Sequence, residues 1–217
     1  MNNICKICGA NTREMIHVRF DLKYYYCDLC EFVSKDEKSI ITAVEELEGY
    51  NTHNNSIEDP RYVAYFMKFI ENAVLKYCDR NISGLDFGSG PSPVLAMIFE
   101  RDYNISMDIY DLYYSPNKIY ENKKYGIITS TEVVEHLKNP LGYFRLFKVL
   151  LEEEGILSIM TLFHSKKEAE FLEWHYIRDM SHISFYTPKT MKIIAEKVGL
   201  KVIYSDDNRY TTFRNLS

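Results

Sequence analysis

The sequence has no run of 18 apolar residues, and its start, MNNICKICG, combines neither a basic stretch nor an apolar signal core. Membrane-spanning helices are therefore excluded, and the expectation is a soluble, cytoplasmic chain with no membrane partner. Positive charge is not in surplus either. With a net charge of −5, no global attraction draws the chain to nucleic acid. Glycine and proline are sparse, nine and six among 217 residues, so the places where they cluster carry information.

Aromatics are plentiful instead: eighteen tyrosines and twelve phenylalanines, read as core and inter-element packing. At 46% hydrophobic and 26% charged, the chain is long enough for one main domain with an appendage. Four of its five cysteines are grouped near the start. Cys5-x-x-Cys8 and Cys27-x-x-Cys30 are eighteen residues apart, the spacing at which two thiolate knuckles close on one structural Zn²⁺. Paired disulfides are the alternative, disfavoured without a secretory signal. Met15 to Phe20 and Lys23 to Tyr26 read as two strands turning at Asp21 and Leu22, so residues 1–34 are expected to form a zinc ribbon folded by its metal. Cys78 reads as a buried helix residue.

Residues 35–81 read as a helical linker and lid. Asp36 to Glu48 carries Ile40, Ile41, Val44 and Leu47 at helical spacing with acids opposite, and Gly49 ends it. Tyr50 to Ser56 is a polar loop. Asp59 and Pro60 start a long amphipathic helix to about Asp79, with Tyr62, Phe66, Phe69, Ile70 and Val74 inward.

The glycines and prolines gather in ISGLDFGSGPSP, Ile82 to Pro93. Leu85 to Phe87 reads as the end of a buried strand, Gly88 and Gly90 as a turn that lets a ligand approach the backbone, and Val94 onward as a helix. A second strand, Ile105 to Tyr110, ends at Asp111, about twenty residues on, where an acid can accept hydrogen bonds from a ribose. The third motif position is Ser92, which argues against a dinucleotide pyrophosphate. Tyr125 to Ser130 is a third strand. Ser130 or Thr131 then caps a helix with Glu132, Glu135 and His136 on one face. Asn139 and Pro140 start a helix to Glu153, Gly155 breaks it, and Ile156 to Leu162 is a strand. Phe163 to Tyr186 is an irregular polar-aromatic loop containing Trp174, His175, Tyr176, Asp179 and His182. Thr187 and Pro188 cap a helix to Val198, and Leu200 to Ser205 with Tyr210 to Phe213 form an antiparallel hairpin.

LDFGSGPSP, Asp111 and YGIITSTEVVEHL together resemble the S-adenosylmethionine-dependent methyltransferases of the Rossmann-like class, from Ile82 to the C-terminus. The resemblance implies an α/β domain over 82–217, its sheet covered by helices on both faces. It further implies that S-adenosyl-L-methionine is held by Asp86, Gly88, Ser89, Gly90, Asp111 and Ser130, with Tyr50 and His53 as lid candidates. It departs between Asp111 and Tyr125, where the usual helix and third strand do not fit, so no adenine-binding acid is assigned. E-x-x-E-H also resembles two groups of metal-dependent O-methyltransferases, those of catechols in the ubiquinone pathway and those of small-RNA 3′ ends. In the RNA group a late-loop histidine completes the site, and His182 in SHISFYTP holds that place. The implied ligands are Glu132, Glu135, His136 and His182, a set suited to Mg²⁺ or Mn²⁺. The metal-free reading stays open, with His182, His175 or Asp179 as base or substrate contact. The implied activity is methylation of an oxygen on a small or carbohydrate-like acceptor. Two rivals remain: a zinc-ribbon adaptor on a non-catalytic scaffold, and an RNA ribose 2′-O-methyltransferase, which the acidic charge disfavours.

Overall fold

The computed structural model describes residues 3–51, 56–78 and 82–216. It begins with three short antiparallel strands, β1 (Arg13–His17), β2 (Leu22–Tyr26) and β3 (Val33–Lys35). The first is shorter than its apolar run suggests. His17 Nδ1 accepts from the Phe20 amide at 3.2 Å and the two rings stack, which curls Val18–Phe20 into a 3₁₀ turn before Asp21 reverses the chain at φ 51°. The four cysteines lie beside this sheet, with Cys5 and Cys30 sulfurs 3.4 Å apart and those of Cys8 and Cys27 3.3 Å apart. A disulfide needs about 2.05 Å.

The linker departs from its pattern. Asp36 caps only a 3₁₀ turn, Glu37–Ser39, and α1 (Ala43–Tyr50) begins instead at Thr42, which forms a reciprocal capping box with Glu45 and runs through Gly49. None of the residues of α1 is buried, and Val44 is exposed. The helix is a cover rather than a core element. Asp59 and Pro60 do start α2 (Pro60–Phe69), which passes into a π turn over Ile70–Val74. Its expected end at Asp79 lies outside the described residues. Cys78 is half-buried in the turns that follow, not in a helix.

The main sheet follows the expected alternation: β4 (Gly84–Phe87), α3 (Val94–Tyr103), β5 (Met107–Tyr110), β6 (Tyr125–Thr131), α4 (Pro140–Leu150) and β7 (Leu151–Met160). Here β7 starts five residues before the expected Ile156, because α4 ends at Leu150 rather than Glu153. Among the described residues no helix or strand separates β5 from β6, in line with the shortened segment after Asp111. In the region expected to be a loop lie α5 (Glu168–Leu172), a 3₁₀ turn at His175–Arg178 and β8 (Ser184–Phe185). The chain closes with α6 (Pro188–Val198), β9 (Leu200–Ser205) and β10 (Tyr210–Asn215). Strand order is β5-β4-β6-β7-β10-β9, with β5, β4, β6 and β7 parallel, β10 antiparallel to β7, and β9 antiparallel to β10. This is a Rossmann-like α/β sheet.

The cysteine-bearing sheet is joined to it. Val33 pairs with Phe185 and Ser34 with Ser184, so β8 becomes its fourth strand. Met15, Tyr24 and Val33 share a core cluster with Phe171, Ile177 and Phe185, while Cys5, Ile7, Cys30 and Phe32 pack into the main core with Tyr186 and Met191. A ribbon this small has little core of its own and borrows one. Among the described residues no helix is long and apolar enough to cross a membrane.

Candidate active site

At the carboxyl ends of β4, β5 and β6 lies a cavity of about 880 Å³. Strands β5 and β6 flank β4 on opposite sides, so this is the switch point where open parallel sheets hold ligands. Its floor is Asp86 to Leu95 and Tyr110 to Tyr114, its far wall Thr131 to Asn139, and its roof the helices α1 and α2 with the segment 179–183.

The glycine turn is tied to the second strand. Gly88 and Ser89 amides donate to Tyr110 O at 2.7 and 3.1 Å, and the Gly90 amide donates to Asp111 Oδ2 at 2.9 Å. Asp111 Oδ1 accepts from the amides of Tyr113 and Tyr114 at 2.9 and 3.0 Å. Asp111 thus shapes the pocket, and one of a carboxylate's roughly four acceptor positions stays open. The two glycines differ. Gly88, at φ +87°, could take no Cβ because one would lie 2.2 Å from Val133 Cγ2, whereas Gly90, at φ +68°, has nothing within 4 Å of that position. Only Gly90 offers a ligand open backbone. Beneath the turn, Asp86 is buried and accepts from Thr129 Oγ1 at 3.1 Å. Burial pushes its carboxyl up to about 7, and the nearby Asp111 charge adds to the rise.

The E-x-x-E-H segment is not the expected helix. Glu132 takes a left-handed φ of 53°, and Val134–His136 is a single 3₁₀ turn with no side-chain cap, so the three side chains do not share a helical face and neither Ser130 nor Thr131 caps them. Ser130 is buried and absent from the cavity wall. Glu132 accepts from Tyr65 at 2.7 Å and from Tyr176 at 2.9 Å, and Tyr176 also bonds Glu135. One phenolic proton cannot serve two carboxylates, so Glu135 supplies the second as a neutral acid. Burial raises its pKa well above the usual range and the Glu132 charge opposite reinforces this. Its Oε2 has no partner among the described residues.

Glu135, His136 and His182 each bring one donor atom within 4.8 Å of the others; Glu132, the fourth expected ligand, stands outside the group. The two imidazoles lie edge to face with centroids 4.8 Å apart. His136 Nδ1 is 3.2 Å from Ser181 O, and His182 Nδ1 is 2.8 Å from Tyr176 O. A carbonyl only accepts, so both rings carry their proton on Nδ1. Burial and the neighbouring His136 hold the His182 pKa down, to about 4. Its Nε2 therefore presents a lone pair to the cavity, 3.7 Å from Asp179 Oδ2. Burial raises the Asp179 pKa, but hydrogen bonds from the Ser181 hydroxyl and amide oppose the rise, and the group stays below its usual range.

Tyr50 also lines the cavity, its hydroxyl donating to Glu46 at 3.0 Å. His53 lies outside the described residues. His175 is exposed and off the cavity wall, since the 3₁₀ turn of 175–178 points Tyr176 inward in its place. Sequence reasoning missed Glu46 and Tyr65. Tyr65, three residues after Tyr62, was legible from helical spacing; Glu46, on what reads as a solvated acidic face, was not.

Residues 60–205 match the model of a family described as methyltransferase domain. The chain belongs to that family. It is an S-adenosylmethionine-dependent methyltransferase. Among curated proteins none matches its sequence. Among solved structures the methyltransferase is similar to an O-methyltransferase family protein from Burkholderia thailandensis (TM-score 0.57, 12% identity, 74% of this chain and 61% of that one). It is also similar to the mitomycin 7-O-methyltransferase MmcR (0.52, 12%, 80% and 67%) and to coclaurine N-methyltransferase bound to N-methylheliamine and S-adenosylhomocysteine (0.50, 14%, 70% and 52%). The chain thus spans about half to two thirds of these relatives, and at such identities the likeness is one of fold.

Two outcomes follow from the turn. Gly88→Ala should cost about 2–4 kcal/mol through backbone strain and the clash with Val133, and adding Val133→Ala should recover the clash but not the strain, as read by denaturant unfolding. For Asp86, the folded pKa of about 7 exceeds the unfolded value, so the folded state holds the extra proton and stability falls as pH rises from about 4 to 7. Asp86→Asn removes that slope, and its unfolding free energy, read by denaturant melts, should overtake that of the unmodified protein progressively up to pH 8, by about 1–3 kcal/mol.

Proposed function

We propose that this methyltransferase transfers the methyl group of S-adenosylmethionine to an oxygen of a small, carbohydrate-like acceptor, with His182 as general base. The reading is carried by the His182 tautomer: a neutral, nearly buried imidazole whose Nε2 faces the cavity beside Asp179. Nε2 and the Asp179 carboxylate are both acceptors, so a group between them must donate, as a hydroxyl does. As the acceptor oxygen attacks, its proton passes to Nε2 and the Asp179 charge stabilises the imidazolium formed. Bound S-adenosylmethionine supplies an electrophilic sulfonium methyl. Asp86, Gly90 and Asp111 would hold it, and the tyrosines of α1, α2 and the 110–114 segment would exclude water. A volume of about 880 Å³ is near the top of the usual range for ligand pockets, room for cofactor and a small acceptor together. Two of the structural relatives named above are O-methyltransferases and one an N-methyltransferase, so the oxygen assignment rests on His182.

A second reading has Mg²⁺ or Mn²⁺ held by Glu135, His136 and His182, supported by their convergence and by the partnerless buried Glu135 Oε2. Such an ion would act as a Lewis acid on the acceptor oxygens. We also assign structural Zn²⁺ to Cys5, Cys8, Cys27 and Cys30. Their sulfurs all lie within 4.8 Å of one another, compatible with the about 3.8 Å separation implied by tetrahedral Zn–S bonds of about 2.3 Å, and the Ile7 amide points at Cys5 Sγ as at a thiolate.

Calorimetry with S-adenosylhomocysteine should give a micromolar Kd for the unmodified chain, weakened at least about tenfold by Asp111→Ala. With labelled S-adenosylmethionine and a panel of sugars, amino sugars and catechols, His182→Asn should lower turnover about 10²–10⁴-fold while leaving that Kd in place. No cofactor binding, or full turnover after the substitution, would refute the assignment. Elemental analysis should find one zinc per chain, lost with Cys27→Ser; turnover abolished by EDTA at intact zinc content and restored by Mn²⁺ would favour the second reading.

A further inference from the structure

Lys35, the last residue of β3, is the one lysine found buried among the described residues, at 1% exposure. Its ammonium donates to Met180 O at 2.9 Å and lies 3.8 Å from Met180 Sδ. No further acceptor completes its shell among the described residues. A buried, under-satisfied lysine is costly, and an apolar side chain at this place would pack the sheet at lower cost.

What Lys35 touches is the segment that enters the cavity. Its backbone amide donates to Ile183 O at 2.9 Å, so main chain and side chain grip residues 180 and 183, on either side of His182. The opposite side of the same segment is held by the E-x-x-E-H turn: the Ile183 amide donates to Glu135 O at 2.8 Å, and Ser181 O meets His136 Nδ1. Asp179, which adjoins Met180, is the negative charge that faces Lys35. Burial pulls the ammonium pKa down to about 8 and the Asp179 charge works against that fall.

We propose that Lys35 is a positioning residue: from the cysteine-bearing sheet it fixes the backbone of residues 179–183, and so holds the Asp179 carboxylate and the His182 imidazole in register over the cavity. This rests on the cavity being the methyl-transfer site. It gives the ribbon a part in the reaction without any contact to substrate.

The test uses full-length, zinc-loaded protein labelled with ¹⁵N-histidine, His182 being assigned by its loss in His182→Asn. In the unmodified chain, long-range ¹H–¹⁵N spectra at neutral pH should show His182 with one protonated and one unprotonated ring nitrogen. Lys35→Met should collapse this pattern toward an average of two tautomers, while S-adenosylhomocysteine affinity stays within about threefold and the zinc content is kept. Lys35→Gln, which retains a donor for Met180 O, should restore much of the pattern, and Lys35→Ala, which does not, replaces the methionine variant should that fail to fold. His182 signals unchanged in Lys35→Met, or in Lys35→Ala where only that variant folds, would overturn the proposal. Absent S-adenosylhomocysteine binding in the unmodified chain would instead remove the methyl-transfer reading beneath it.

Discussion

Two residues of main-chain pairing, Val33 with Phe185 and Ser34 with Ser184, join the cysteine-bearing sheet to the domain that carries the glycine turn. The rest of the architecture depends on this short ladder. It converts an excursion between β7 and α6 into an ordered element, and it fixes the direction in which residues 179–183 leave the sheet. Hydrogen bonds from Ser184 Oγ to Leu137 O and from Tyr186 OH to Val134 O continue the connection into the E-x-x-E-H turn. The ribbon, the late segment and the motif turn therefore share one framework, and apolar contacts through Phe171 and Phe185 fill the space between them.

Within that framework the acidic residues are sorted by environment. Glu132 accepts hydrogen bonds from Tyr65 and Tyr176, and Arg209 backs Tyr65 at 3.3 Å. Glu135, one turn further and fully buried, takes the proton. Two carboxyls bridged by a single phenol cannot both ionise at low cost, and burial raises the pKa of Glu135. The left-handed backbone at Glu132 aims its carboxylate at the roof helix α2, away from the histidine pair.

Most of the sheet was legible in the sequence because its signals are local. Glycines followed by prolines mark one strand-to-helix turn, Asp59-Pro60, Asn139-Pro140 and Thr187-Pro188 mark helix starts, and the β9–β10 hairpin follows from apolar runs. The cysteine spacing likewise located four sulfurs that do converge. What failed was non-local. E-V-V-E-H has helical spacing, yet the bonds from Tyr65, Tyr176 and Ser181 come from segments far along the chain and draw it into a 3₁₀ turn. Phe163 to Tyr186 looked irregular because β8 is only two residues long and its partner strand lies about 150 residues earlier. Of the apolar stripe, Ile40 and Ile41 line a hollow while Val44 is exposed to solvent, a distinction that periodicity does not carry.

After Asp111 the chain returns to β6 without another strand, which leaves β5 at the rim of the sheet with Tyr113 and Tyr114 just beyond its end. Both phenols reach up to the roof: Tyr113 donates to Glu46 and Tyr114 to Asn51 Oδ1 at 2.9 Å. Glu46 in turn stands 3.7 Å from His136. The 110–114 segment and the His136 side of the hollow thus share α1 as one cover, so any displacement of that helix would open both at once.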